Sequence, residues 1–327
     1  MNRRNAWRTS LTSVALFALG LAPLPGQTQE KYPERSIRLV VPFPAGGGTD
    51  VMGRILEARI SSLLGQQLVV DNKTGAGGAI GAAEVARARP DGYTLLLGTS
   101  STHVINPLTM ENLPYDAVKS FAPITVLGIS TYLIVAHPSV AASLPELIRR
   151  AKASPGKYSY GAVSGMAQFS AELFKKQARV DLLHVPYRIT GQNLQDLMGG
   201  QIPLTSTILS VATPHHRSGK LRILAVFGAQ RSSAVPEVPT AIETGVQGMI
   251  AYTFNVLFAP AGTPRTIIEQ LHQAAAKVTR DEGFKKSLDN LGIEGVTDSG
   301  PEKAAQLVKD EIVKWAPIVK ATGMKVN

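Results

Sequence analysis

A unit of buried strand, glycine-rich turn and amphipathic helix occurs twice in succession near the start of the chain, and it restricts the fold more than any other feature. Residues 37–43 are a short apolar run of the kind that forms a buried parallel strand. Pro44-Ala45-Gly46-Gly47-Gly48 follows as a turn. Thr49 is then expected to cap a helix, with Asp50 as its first-turn acid. Met52, Ile55, Leu56, Ile60, Leu63 and Leu64 recur at helical spacing, and Gly65 stops the helix. The second unit has a strand at 67–70, a glycine-rich turn at 71–78 and a small-residue helix at 80–88 ended by Pro90. A third strand at 93–97 completes a βαβαβ run, which predicts a doubly wound α/β domain.

A second α/β series follows. Strands are expected at 124–128, 132–136, 158–161, 182–185, 204–207, 222–227 and 256–259. Ser143-Leu144-Pro145-Glu146 reads as a capping box. Thr263 is expected to cap a helix that Pro264 opens and that reaches about Arg280. In the last helix, Val308, Ile312, Trp315 and Val319 form one buried stripe.

Composition excludes several functions. The chain has 327 residues and no cysteine, so disulfides and thiolate metal sites are ruled out. The net charge of +10 suggests an anionic partner, but aromatics are only 6% and the cations are dispersed, unlike a nucleic-acid groove. Arg3, Arg4 and Arg8 precede an apolar stretch at 11–24, the pattern of a secretory signal peptide, assigned to residues 1–26. No histidine pair has metal-ligand spacing, and Asp281-Glu282 and Asp310-Glu311 read as solvated carboxylates on helix surfaces. Neither a metal nor a cofactor is expected.

The two glycine-rich turns are the strongest site signal. Helix N-termini offer free N–H groups and a partial positive charge. Glycines let a ligand approach that backbone, and both turns would open at the C-terminal edge of one sheet. A carboxylate or phosphate fits there without an arginine. Gly75-Ala76-Gly77-Gly78-Ala79-Ile80-Gly81 mimics a dinucleotide fingerprint, but Ile80 replaces its third glycine and Asp91 precedes the next strand instead of ending it. Ser100-Ser101-Thr102-His103 lies at the same edge, where Ser100 and Ser101 could bond a carboxylate. Serine beside histidine also permits a hydrolase acting through Ser100 or Ser164, although Gly161-Ala162-Val163-Ser164-Gly165 misplaces the serine for a nucleophile elbow. Ser164 and Gln168 sit on the second series' own strand-to-helix turn, within reach of a ligand in a cleft between domains.

Several phrases, in order, resemble one family. They are Tyr32-Pro33, Ile37-Arg38-Leu39-Val40-Val41-Pro42-Phe43-Pro44-Ala45-Gly46-Gly47 with Thr49-Asp50, and Asn72 with Gly75-Ala76-Gly77-Gly78. Next come Pro90-Asp91-Gly92-Tyr93-Thr94-Leu95, Val185-Pro186-Tyr187, Gly219-Lys220-Leu221-Arg222 and Val238-Pro239-Thr240. Ala259-Pro260-Ala261-Gly262-Thr263-Pro264 ends the series. Together they resemble the tripartite tricarboxylate transporter receptors, or Bug proteins.

The resemblance implies a monomeric periplasmic solute-binding protein of the type II kind. It would have two doubly wound α/β domains, 30–128 with 250–327 and 129–249, and a cleft closed by hinge motion. It implies a small carboxylate ligand: a dicarboxylate, tricarboxylate, acidic amino acid or aromatic acid. The partner would be a membrane permease or, for the same ligands, a sensor protein. Ala45, Gly46, Gly47, Gly48, Thr49 and Asp50, with Gly75, Ala76 and Gly77, would hold one carboxylate, partly through water. Ser164, Pro186 and Tyr187 would contribute from the second domain. Arg188 is the expected clamp for a second carboxylate. Thr205 is counted with the ligand-binding set, as is Phe254, which stands where the family often has tryptophan. The family often has Lys-Gly where this chain has Arg188-Ile189, so the departures concentrate in the second domain.

Overall fold

The computed structural model describes residues 32–163 and 165–322. The expected leader at 1–26 and Ser164 therefore lie outside the described residues. The first series is β1 (Ile37–Val41), α1 (Gly48–Leu64), β2 (Leu68–Asn72), a 3₁₀ turn (Ala76–Gly78), α2 (Ala79–Ala86) and β3 (Thr94–Thr99). A π-helical turn (Ser101–Ile105) and α3 (Asn106–Thr109) lead into β4 (Phe121–Ala136). The second series is α4 (Leu144–Ala153), β5 (Ser159–Val163), α5 (Met166–Ala178), β6 (Leu183–Tyr187), α6 (Thr190–Met198), β7 (Leu204–Ile208), α7 (Leu209–Arg217) and β8 (Arg222–Val226). The chain closes with β9 (Tyr252–Pro260), α8 (Arg265–Arg280), α9 (Glu282–Asn290), β10 (Glu294–Gly295) and α10 (Pro301–Thr322).

The strands run β2-β1-β3-β9-β4-β7-β5-β6, with β8 and β10 also pairing with β4. Two parallel triads stand at the ends. In the first, β1 lies between β2 and β3, and in the second, β5 lies between β6 and β7. Two long antiparallel strands, β9 and β4, run between the triads. The main core is continuous across both halves: Leu96 and Phe258 belong to it, as do Tyr160, Phe169 and, from α10, Trp315.

Four local expectations are corrected. The strands at 124–128 and 132–136 are one 16-residue strand, β4, whose ends pair with different halves. Its ladder with β9 shifts register between Pro123 and Thr125 and again between Val126 and Gly128, as bulges do. Thr49 does not cap α1, since Gly47 holds that position and no side chain caps the helix. Thr263 does not cap α8, where Pro264 is the cap residue and the Thr263 hydroxyl donates to the Pro260 carbonyl at 2.8 Å. Glu311 is not solvated: it is buried, accepting from Tyr252 Oη at 2.8 Å, Trp315 Nε1 at 2.9 Å and Lys314 Nζ at 3.0 Å. It ties α10 to the start of β9.

The capping box at Ser143 forms, with Ser143 Oγ accepting from Glu146 N at 3.4 Å. The return bond reaches one residue further out, from Ala142 N to Glu146 Oε2 at 2.7 Å.

Candidate functional site

A sheet ordered 2-1-3 has its switch point between the first and third strands, where diverging loops leave a crevice. Both triads have this order. The first crevice is bounded by the turn before α1 and the turn after β3. The second is bounded by the turn before α5 and the junction of β7 with α7. The two crevices face each other. A Cβ built on Gly48 would lie 3.4 Å from Ile208 Cδ1 and 4.0 Å from Ser210 Oγ. A Cβ built on Gly165 would lie 3.6 Å from Ser101 Oγ.

The turn before α1 is shaped by Asp50. Its carboxylate is buried, with Oδ2 accepting from Gly46 N at 2.8 Å and Arg54 Nε at 3.0 Å. Oδ1 accepts from Asn72 Nδ2 at 3.0 Å, and the same amide reaches the Phe43 carbonyl at 3.0 Å. Burial pushes the Asp50 carboxyl upward, but the bonds from Arg54, the Gly46 amide and Asn72 outweigh it and hold the pKa below the ordinary value. Asp50 is thus committed within the protein. What it leaves for a ligand is the backbone: Ala45, Gly46 and Gly47 are exposed, Gly48 and Thr49 half-buried, and a 17-residue helix begins behind them.

The turn before α2 is shaped by its own backbone. Gly75, Ala76, Gly77 and Gly78 all have positive φ, at 126°, 47°, 59° and 89°. For Ala76 this is a strained conformation. Asn106 Nδ2 donates to the Gly77 carbonyl at 3.1 Å and braces the turn from α3. The π-helical turn packs behind it, so that a Cβ on Gly78 would lie 2.7 Å from Thr102 Cγ2.

Among the remaining expected residues, Ser101 and Gly48 meet the opposite half, as described. Ser100 is fully buried and accepts from Phe254 N at 3.2 Å. Phe254 is itself wholly buried and belongs to the main core. Thr205 is likewise interior, with Oγ1 2.8 Å from the Gly161 carbonyl and 2.7 Å from Asn193 Oδ1. Gln168 approaches His184 Nδ1 at 3.2 Å and lines a cavity of about 620 Å³ with Glu172, Lys175 and Ile318. Pro186 and Arg188 are exposed at the end of β6, and Tyr187 Oη donates to Asp196 Oδ2 at 2.7 Å.

The serine–histidine arrangement needed for hydrolysis does not form at Ser100. His103 is fully buried, stacked on Phe258 at 4.0 Å, with Nδ1 2.9 Å from Thr102 Oγ1. Burial lowers its pKa to about 3, leaving a weak base, and its Nε2 has no hydrogen-bond partner. Among the described residues no cluster of His, Asp or Glu could hold a metal, and no helix is long and apolar enough to cross a membrane. Reasoning from sequence missed Asn106 as a brace of the second turn.

Residues 52–324 match the model of the tripartite tricarboxylate transporter family receptors. Protein BugT of Bordetella pertussis (strain Tohama I) is 34% identical over 310 residues, covering 94% of this chain and 94% of that protein. The solved structure of R. palustris Rpa4515 with adipate has a TM-score of 0.82 at 33% identity, covering 90% of this chain and 99% of the other. MatC (Rpa3494) from Rhodopseudomonas palustris with bound malate has a TM-score of 0.79 at 31% identity, covering 88% and 100%. These family and structural neighbours are binding proteins.

Proposed function

The chain belongs to the tripartite tricarboxylate transporter family receptors, and on that premise we propose that it is a periplasmic receptor capturing a small carboxylate for a membrane permease. One observation carries the reading most directly. The uncapped N-terminus of α1, its turn held open by Asp50, stands at one switch point and faces the other, where a Cβ built on Gly48 would lie 3.4 Å from Ile208 Cδ1. A carboxylate there meets free N–H groups and the positive end of the helix dipole, so it needs no arginine. The strained turn at Gly75, Ala76 and Gly77 supplies a second wall. The two halves act as lobes, 33–128 with 250–322 and 129–249, moving about β4 and β9. The dicarboxylates named for the two solved relatives support the ligand class.

Thermal unfolding with small carboxylates tests this. A ligand at a hundred times its dissociation constant adds about 2.7 kcal/mol. Gly47→Trp abolishes that gain: Gly47 has an ordinary φ of −76°, so the backbone tolerates the change, but its Cβ would already lie 3.3 Å from the Pro44 carbonyl and the indole would fill the turn. Retained binding in Gly47→Trp would sink the proposal.

A further inference from the structure

Three polar atoms lie buried without a hydrogen-bond partner around the first turn of α1: Thr99 Oγ1, Asn255 Oδ1 and Ser210 Oγ. Thr99 and Asn255 are each only 3% exposed. They oppose one another across the β3–β9 ladder, and Gly128 of β4 opposes Asn255 from the other side. Residues opposed in this way present their side chains to the same face of the sheet.

That face belongs to α1. A Cβ on Gly128 would lie 3.0 Å from Met52 Cε, and a Cβ on Gly53 would lie 3.6 Å from Leu97 Cδ2. Thr99 is two residues beyond Leu97, and α1 runs the opposite way, which puts Thr99 beneath the turn at 48–52. Ser210 approaches the same turn from the opposite half, 4.0 Å from the Cβ position of Gly48. Folded proteins rarely leave buried polar groups unpaired, because the desolvation is not repaid. Three of them gathered at one helix N-terminus form a place that a ligand completes.

We infer that Thr99, Asn255 and Ser210 are the specificity subsite of the cleft, selecting acids that carry a neutral hydrogen-bonding group, a hydroxyl or a carboxamide. The inference rests on the carboxylate reading above. Gly48, Met52, Thr99, Gly128, Ser210 and Asn255, which meet here, are all uncharged. The ionised group on the same turn, Asp50, is negative and already takes the Arg54 guanidinium. An ionised carboxylate only accepts, so a second one seated at these three atoms would leave Asn255 Oδ1, itself an acceptor, unsatisfied. A hydroxyl or carboxamide both donates and accepts, as two hydroxyls and an amide require. The ligand class is therefore a carboxylic acid that also carries a hydroxyl or carboxamide.

Calorimetric titration of the mature protein decides this with four-, five- and six-carbon acids in matched sets. Each set holds the diacid, its monoamide, the hydroxy acids and the unsubstituted monoacid. At least one hydroxy or carbamoyl acid is expected to bind about tenfold or more tightly than the diacid and plain acid of equal length. Ser210→Ala and Asn255→Leu, each checked for folding by circular dichroism, should bring that affinity ratio towards one. A diacid binding tightest, or a ratio that survives both substitutions, overturns the inference while leaving the carboxylate reading standing. If none of the acids binds, the carboxylate reading itself falls and takes the subsite with it.

Discussion

The turn before α1 is held by a buried carboxylate, whereas the turn before α2 is held by its own left-handed backbone. Asp50 gathers the Gly46 amide, Asn72 and Arg54, so the first turn is an electrostatic construction with partners from β2 and α1. The second has no such carboxylate. Four consecutive residues in positive φ bend it, and Asn106 and Thr102 support it from behind. Two neighbouring turns that present backbone to one crevice can thus be fixed by charge or by conformational restriction, and the two devices fail under different insults.

Asp50→Ala should have the largest effect. It leaves the Gly46 amide and the Asn72 amide without their acceptor, and urea unfolding should show a loss of about 3 kcal/mol. Asp50→Asn should recover part of this, and equal losses in both variants would remove charge from the account of the first turn.

Gly78→Ala attacks the second turn. At φ 89°, with its Cβ 2.7 Å from Thr102 Cγ2, it should cost about 2 kcal/mol. The same measurement on Gly48→Ala, which sits in the helix with nothing nearer than 3.4 Å, should show little change or a small gain. If both substitutions cost the same, the second turn is not governed by its backbone.

Acid separates the devices next. Asp50 has a lowered folded-state pKa, so its contribution is present above the unfolded carboxylate value and is lost only as pH falls through the folded value. His103, behind the second turn, has a folded pKa of about 3 against an ordinary 6.5, so the unfolded chain takes up its proton first. Stability should fall by about 1 kcal/mol from this group alone between about pH 6 and pH 5. His184, also lowered by burial, adds in the same direction. His103→Phe should flatten that part of the profile, and an unchanged slope would remove His103 from it.

The smallest effect should have the opposite sign. Ala76→Gly relieves a left-handed alanine at φ 47°. The relief, less the added freedom of the unfolded chain, leaves a net gain of roughly 0.5 kcal/mol. Thermal denaturation showing a loss would mean that Ala76 is not strained.

The repeating units were legible in sequence because strand runs, glycine punctuation and helical stripes are local. Val308, Trp315 and Val319 are buried along α10 at the expected spacing. The errors arose where a residue's state depends on distant partners. Glu311 looks like any surface carboxylate until Tyr252, 59 residues away, is folded against it. β4 reads as two strands because Gly128-Ile129-Ser130-Thr131 interrupts its apolar pattern, and only β9 and β10 beside it make that stretch a continuous strand. In the site, the glycine turns could be found from their chemistry. Thr99 and Asn255 could not, since their facing each other depends on the antiparallel register of strands more than 150 residues apart.

The unbroken path of β4 has a mechanical consequence. A flexible tether between two bodies samples many orientations, and docking them forfeits that freedom. Here both bodies are spliced onto one hydrogen-bonded ribbon of 16 residues, which β9 pairs with over its first part. Rotation of one half against the other must then be taken up as torsion, with the irregular steps near Thr125, Gly128 and Val135 as the compliant points. On the receptor reading proposed above, such a torsion bar would confine closure to one coordinate, and little of the grip on a captured molecule would be lost to ordering a loose joint.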